Sequence, residues 1–274
     1  MQAGVLNFFL IFVTIAVSPG IKIMSIEKEF EKLRPVLNRW SRFILTGKKI
    51  VTEGTGHFLA RGPAIIVGNH IGTFKDAATI YEIVPMPFVF TANKMIFDEN
   101  EFDYLIRKHL KRHFKEVGLL LDFILTPFKK PFLHFVTRTV KRIGTVPVDL
   151  YSSKRDAILK CQETVKAGRV LITLQGRGRV MKNDPNPYVS PFRRGAAIIS
   201  YNLYKNEGLR VPVIPMAIFG THLPLFFPAT IRVNVGEPMY VTDHLGEGFE
   251  ESVEKFRRSL ERKVNSLFFQ IVKG

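Results

Sequence analysis

Two hydrophobic periods alternate along the chain. Between residues 26 and 45, Phe30, Leu33, Leu37, Trp40 and Ile44 recur at steps of three and four, the spacing of an amphipathic helix, and Pro35 inside it predicts a kink. Such a helix either lies on a membrane or caps a core. From residue 49 onward, short runs rich in β-branched residues alternate with helical stretches. The runs predict strands near 63–68, 87–92, 145–148, 170–174, 211–218 and 230–235. The stretches between them predict helices near 74–83, 101–115, 131–142, 154–167, 193–206 and 249–272. Strands interleaved with helices imply an α/β fold with a mixed, largely parallel central sheet flanked by helices. There is no repeat, low-complexity tract or interdomain linker. The expected organisation is an N-terminal membrane element over residues 1–45 and one catalytic-size domain over 46–274.

The first 21 residues contain no charged side chain, and Val5 to Val17 is almost wholly apolar, near the lower length limit for a membrane span. A secretory signal would start with basic residues and end in small ones. Here the first charge is Lys22 and the segment ends Ser18-Pro19-Gly20, so the expectation is a retained apolar membrane helix. A half-inserted interfacial helix and a true start at Met24 are the competing readings. Basic residues follow the segment, which by the positive-inside bias would place the body of the protein on the cytoplasmic side of a membrane.

Charge sharpens the partner. Forty Lys and Arg against 24 Asp and Glu give a formal charge of +16, which points to a polyanionic partner. Residues 106 to 143 carry ten Lys and Arg against Glu116 and Asp122, interleaved with bulky apolar residues such as Leu120, Phe123 and Ile124. That mixture suits a phospholipid surface. Zinc-finger spacing, an aromatic RNA-binding string and a basic zipper are all absent, so no nucleic-acid partner is expected. The single cysteine, Cys161, excludes an internal disulfide and agrees with a reducing compartment.

In open α/β sheets, functional groups gather at the carboxyl ends of strands. The predicted strand Gly62 to Gly68 runs into Asn69-His70-Ile71-Gly72-Thr73-Phe74-Lys75-Asp76. A histidine there, with a carboxylate one helical turn on, makes a base and its orienter: Asp76 fixes the tautomer and stabilises the imidazolium while His70 takes a hydroxyl proton. The bland alternative is a hydrogen-bonded surface histidine and a carboxylate that caps the helix. His109 and His113 have metal-compatible spacing, but no glutamate lies between them and their surroundings are cationic, so no metal site is expected. A nucleophile elbow, a Walker loop and a dinucleotide fingerprint are absent.

Three further stretches follow in order. Gly144-Thr145-Val146-Pro147-Val148-Asp149 enters a strand. Val170 to Leu174 leaves one through Gln175-Gly176-Arg177-Gly178-Arg179. Val211-Pro212-Val213-Ile214-Pro215-Met216-Ala217-Ile218 is an apolar strand bounded by prolines. With Asn69-His70 and Asp76, this ordered set resembles the phospholipid/glycerol acyltransferase family, of the lysophosphatidic acid acyltransferase type. Members show Asn-His and a downstream Asp, then Gly-x-(Ile/Val)-(Phe/Pro)-(Ile/Val)-Asp, then Phe-Pro-Glu-Gly-Thr-Arg, then Val-Pro-Val-x-Pro-Val-Ala. Phe192-Arg193-Arg194-Gly195-Ala196-Ala197 and Val233-Asn234-Val235-Gly236-Glu237-Pro238 also look like family stretches, and the resemblance covers about residues 45 to 270.

The resemblance implies acyl transfer from acyl-CoA or acyl-carrier protein, as co-substrate and without a resident cofactor, to a hydroxyl of a phosphorylated glycerolipid acceptor. His70 would be the general base, Asp76 its partner, and Cys161 would have no role. The substrate would be bound by Asn69, Gln175, Gly176 and the arginines, Arg177 and Arg179 holding the acceptor phosphate with Arg193 and Arg194 as second choices, because guanidinium groups hold phosphate bidentately. A solvated basic loop is the alternative there.

The chain departs from the family pattern at several places. His70 and Asp76 are separated by one residue more than is usual, a spacing that fits if Asp76 sits in the first turn of the next helix. Gln175 stands at the glutamate position, Arg177 at the threonine, Gly178 at the arginine, and Leu150 where an arginine commonly follows the second stretch. These changes imply altered acceptor recognition, and they leave open a non-catalytic lipid-binding relative with the same fold. The strand ending near Lys94 and the Gly144 stretch are separated by roughly 50 residues, far more than the family needs, so 98–130 is read as an insertion. It is expected either to dock on the membrane or cover an acyl chain, or to form an extra helical hairpin packed on the core.

Overall fold

The computed structural model of the chain describes residues 26–115, 117–149, 155–225 and 227–273. The apolar stretch from Val5 to Val17, and with it the expected membrane helix, lies outside the described residues, as does Leu150. Among the described residues no helix is long and apolar enough to cross a membrane.

Seven strands and seven α-helices are described. The strands are β1 (Lys48–Glu53), β2 (Ala64–His70), β3 (Phe88–Asn93), β4 (Val146–Val148), β5 (Val170–Gly176), β6 (Val213–Phe219) and β7 (Ala229–Val235). The helices are α1 (Ile26–Ile44), α2 (Phe74–Ile83), α3 (Glu99–Phe114), α4 (Val117–Arg142), α5 (Arg155–Lys166), α6 (Gly195–Glu207) and α7 (Phe249–Lys273). Across the sheet the order is β1-β7-β6-β2-β5-β3-β4. The chain forms two compact units, one from residues 32–91 and 155–274, the other from 92–154 with the N-terminal residues through 31.

In the larger unit β2 is central, parallel to β5 in the register Ile65↔Leu171 and to β6 in the register Ile66↔Ile214. β3 continues the parallel set beside β5, and β1 pairs in parallel with β7. The β6–β7 pair is antiparallel, with Met216 opposite Val235. Strands covered on both faces need apolar residues at every position rather than at alternate ones. Ile65, Ile66, Val67, Leu171, Ile172 and Met216 accordingly have no exposed surface. α7 contributes a buried stripe of Phe256, Leu260 and Val264 at helical spacing.

α1 is a single helix with Pro35 inside it. Its carboxyl-terminal part caps the core: Leu33 and Ile44 are buried, Asn38 Oδ1 accepts from the Tyr81 hydroxyl at 2.7 Å, and the Ser41 hydroxyl donates to Glu82. β1 is a strand that the sequence pattern did not predict. Its residues Lys-Lys-Ile-Val-Thr-Glu carry little apolar signal, and pairing with β7 makes the strand.

The smaller unit contains a helical hairpin. Asp98 starts α3 by accepting from the backbone N–H groups of Asn100 and Glu101 at 2.9 and 3.0 Å. The helix expected over 131–142 in fact begins at Val117 and contains both Pro127 and Pro131. Local propensity is overridden by a four-charge cluster between the two helices. Lys129, almost fully buried, lies 2.6 Å from Asp103 and 2.5 Å from Asp122, while Arg107 lies 2.7 and 3.3 Å from the same two carboxylates. Most of the stretch 98–130 is therefore helical hairpin, and it continues to Arg142.

Candidate active site

The parallel arrangement of β2, β5 and β6 brings their carboxyl ends to one edge of the sheet. His70 is the last residue of β2, and in register Asn69 stands beside Gln175 and His70 beside Gly176. The chain then turns tightly through Ile71, Gly72 and Thr73 into α2, whose first turn holds Asp76. This is the placement that the extra residue between His70 and Asp76 required.

Asp76 is fully buried and its Oδ2 serves three donors. It lies 2.7 Å from His70 Nδ1 and accepts the backbone N–H groups of Ile71 at 2.9 Å and Gly72 at 2.8 Å. With the carboxylate on Nδ1, the imidazole carries its proton there and presents Nε2 as the basic atom. The His70 side chain keeps 27% of its surface exposed, so Nε2 is within reach of a substrate.

The turn after β5 wraps this histidine. Gly176 has φ 126° and Gly178 φ 69°, conformations that favour glycine. A Cβ on Gly176 would stand 2.8 Å from the His70 carbonyl oxygen, and one on Gly178 would stand 3.1 Å from Nε2. Gly178 N–H donates to the His70 carbonyl at 3.1 Å, and its own carbonyl accepts from the Thr73 hydroxyl at 2.8 Å. Thr73 itself has φ 54°, an unusual conformation for a residue with a Cβ.

The side chains expected to bind substrate divide into two groups. Arg177 and Arg193 are exposed, and Arg179 is half-buried in the same turn. Arg193 reaches this edge because Gln175 Oε1 accepts its backbone N–H at 3.0 Å, while Glu261 Oε2 accepts the Phe192 N–H at 2.7 Å. Gln175 is itself buried, and its side-chain carbonyl holds the Arg193 segment in place. Asn69 also faces inward. It has no exposed surface, and its amide spans β2 to β6 by donating to the carbonyls of Tyr188 at 3.0 Å and Ile218 at 2.8 Å and accepting from Ile218 N–H at 2.8 Å. Both N–H groups of the amide are engaged by these two carbonyls. Arg194 is paired with Glu250 at 2.5 Å and lies over the Phe249 ring, so a phosphate there would compete with a carboxylate already in place.

Sequence reasoning missed the residues behind the pair. Thr221 and His222 follow the end of β6, and a Cβ on Gly72 would stand 2.4 Å from Thr221 Cβ. His222 sits against the rings of Tyr188 and Phe219 at 5.2 and 5.1 Å. Burial lowers its pKa, the Lys75 ammonium lowers it further, and Asp76 acts in the opposite sense. Asp76 Oδ1, Thr221 Oγ1 and His222 Nδ1 are buried without a protein hydrogen-bond partner. Lys75 donates to the Leu223 carbonyl and Lys48 to those of Pro224, at 2.9 Å, and Phe227, so two cations clasp this loop. The Lys75 pKa is lowered, first by burial and then by Lys48. Applying the strand-end rule to β6 would have found Thr221 and His222. Among the described residues, no three His, Cys, Asp or Glu side chains come together in a way that could hold a metal ion.

The fold and site together define an α/β protein whose parallel strands deliver a histidine–aspartate pair and an arginine-bearing turn to one sheet edge. Among solved structures, the chain is similar to the crystal structure of the 1-acyl-sn-glycerophosphate (LPA) acyltransferase PlsC from Thermotoga maritima, with a TM-score of 0.52 over 96% of each chain and 18% sequence identity. At that identity the likeness establishes a shared fold. No protein-family model matches the sequence, and no curated protein does.

Proposed function

We propose that the chain is a membrane-associated glycerolipid acyltransferase, moving a fatty acyl chain from acyl-CoA or acyl-carrier protein to a hydroxyl of a phosphorylated glycerolipid. The observation that carries this reading is the 2.7 Å contact between His70 Nδ1 and a buried Asp76 carboxylate at the end of β2. The likeness in fold to an acyltransferase and the ordered sequence stretches agree with it.

In this mechanism the acceptor hydroxyl gives its proton to His70 Nε2 as its oxygen attacks the thioester carbonyl. The tetrahedral adduct then expels the thiolate, which takes the proton back from the imidazolium and leaves as free thiol. Asp76 stabilises the imidazolium between the two transfers and does not itself take the proton. No residue of the protein is acylated. Arg177 and Arg179 in the turn after β5, with Arg193 from the segment before α6, supply cationic donors for the acceptor phosphate. The body of the protein faces the cytoplasm, on the sequence argument from basic residues after the apolar segment.

The test is thiol release by full-length, detergent-solubilised protein from palmitoyl-CoA and from an acyl-carrier-protein donor, with glycerol 3-phosphate, lysophosphatidate and uncharged lysolipids as acceptors. Acceptor-dependent release by wild type, lost in a folded His70→Ala variant, is expected. Release that is equal in both would remove His70 as the base. No release with any pair would transfer the reading to a non-catalytic lipid-binding protein of this fold.

A further inference from the structure

The apolar side chains of α4 fall on two faces. At about 100° per residue, Gly118, Asp122, Lys129 and Leu133 share one side of the helix. That side is turned inward: Lys129 and Leu133 are buried, Asp122 pairs with Lys129 and Arg107, and a Cβ on Gly118 would stand 2.6 Å from the Leu110 carbonyl of α3. Val117, Leu120, Phe123, Ile124 and Pro127 share the opposite side. All five are exposed, Phe123 to 77% and Leu120 to 59%. A solvent-facing helix side normally carries polar residues, and a contiguous apolar side calls for a partner.

The charge near this face indicates which partner. From Tyr104 to Leu121 the sequence carries Arg107, Lys108, Lys111, Arg112 and Lys115 against the single carboxylate Glu116. Lys108, Lys111 and Lys115 are exposed, as is Lys130 farther along α4. Glu116 alone among the acidic residues of the hairpin falls at its turn in sequence. Asp103 and Asp122 are paired with Arg107 and Lys129, and the exposed Glu101 lies 14 residues before Lys115, about 21 Å along the helix. Lysines are depleted from the centres of protein interfaces, whereas a stripe of Leu, Ile and Phe with lysines around it matches the apolar and anionic layers at a bilayer surface.

We infer that this side of α4, with the lysines of the α3–α4 turn, is a docking surface for an anionic phospholipid bilayer. Phe123, Leu120 and Ile124 enter the boundary between headgroups and acyl chains, and Lys111 and Lys115 stay at headgroup level. The inference stands on the hairpin alone and is independent of whether His70 acts as a base.

Because the apolar segment at residues 5–17 could hold the full chain on vesicles by itself, the measurement must be local. Cys161 is buried, with its thiol pushed up to about 12, so a cysteine introduced by Phe123→Cys can be labelled selectively with an environment-sensitive fluorophore; Asn206→Cys on α6 provides the control. The label at 123 is expected to shift to the blue on vesicles of phosphatidylcholine with phosphatidylglycerol, and to be quenched by brominated acyl chains. The shift should need at least tenfold more lipid in the folded Lys111→Glu/Lys115→Glu variant, and the label at 206 should not respond. No shift at 123 on anionic vesicles would overturn the inference. So would a shift that appears on concentrating the protein without lipid, which would identify a second copy as the occupant, or an equal response to phosphatidylcholine alone.

Discussion

Asp76 Oδ2 stands 2.7 Å from His70 Nδ1 while also accepting the backbone N–H groups of Ile71 and Gly72. One oxygen therefore does two jobs: it orients the imidazole and it closes the β2–α2 turn that positions His70. The two jobs separate by substitution, because an amide oxygen can accept the turn N–H groups but brings no charge to an imidazolium.

Asp76→Asn is accordingly expected to lower kcat by roughly 10²–10⁴ with a small change in Tm, whereas Asp76→Ala loses activity and also leaves two buried N–H groups unpaired, at about 1–3 kcal/mol each. Steady-state thiol release and thermal unfolding of both variants check this. A common effect of the two variants on stability and rate would reduce Asp76 to a turn residue.

The arginines divide by what already holds them. Arg177 and Arg193 are exposed at the site edge, while Arg194 is engaged by Glu250. Arg177→Ala and Arg193→Ala are expected to raise the KM of a phosphorylated acceptor by about 10–100-fold, the loss of one charge-assisted hydrogen bond. The KM of the acyl donor should change much less, and Arg194→Ala should have a smaller effect on the acceptor than Arg193→Ala. Equal increases for donor and acceptor would argue against a phosphate role.

Gly178 tests how closely the turn must approach the base. Its φ of 69° disfavours any side chain by about 1–2 kcal/mol, and a Cβ there would sit 3.1 Å from His70 Nε2. Gly178→Ala should therefore depress kcat by more than tenfold while shifting Tm by only a few degrees. A variant with full activity would place the reacting hydroxyl on another side of the imidazole.

The parts legible in the sequence were those where burial acts on every position of a segment. β2, β5 and β6 are legible because strands covered on both faces must be continuously apolar, and the contact between His70 and Asp76 is legible because the spacing places a carboxylate in the first turn of α2. β1 was missed because its partner, not its composition, makes it a strand. The start of α4 at Val117 is not legible from local pattern, because the helix contains Pro127 and Pro131 and is held by ion pairs with α3 that are distant in sequence. Asn69 and Gln175 were identified as site residues by position, but the direction of a side chain is set by its neighbours. Both point into the structure and hold β6 and the Arg193 segment.

Cys161 has no part in the proposed transfer, and its surroundings make that testable. Burial pushes its thiol up to about 12, so almost no thiolate exists at neutral pH. A small thiol reagent should leave native protein unmodified and fully active, and titrate one thiol per chain after unfolding. Rapid modification of the native protein, with loss of activity, would reopen the question of a covalent intermediate.

The last prediction concerns acid stability and the support behind the Arg193 segment. Hydrogen bonds from Arg257 and Arg258 hold the Glu254 carboxyl down at about 2, while Arg257 also bonds Glu261 and the Phe192 carbonyl. A carboxyl whose folded pKa lies below its unfolded value of 4.5 contributes stability that is fully present above pH 4.5 and is lost as the pH falls through about 2. Glu254 is partly exposed, so solvent and salt reduce the contribution. Between pH 4.5 and 2 the Tm of Glu254→Gln should therefore fall less steeply than that of wild type, the two curves converging at the acid end, and added salt should narrow the gap at pH 7. Parallel curves across that range would mean that Arg257 is positioned by Glu261 alone, leaving Glu254 without a share in holding Phe192 and Arg193 at the edge of the site.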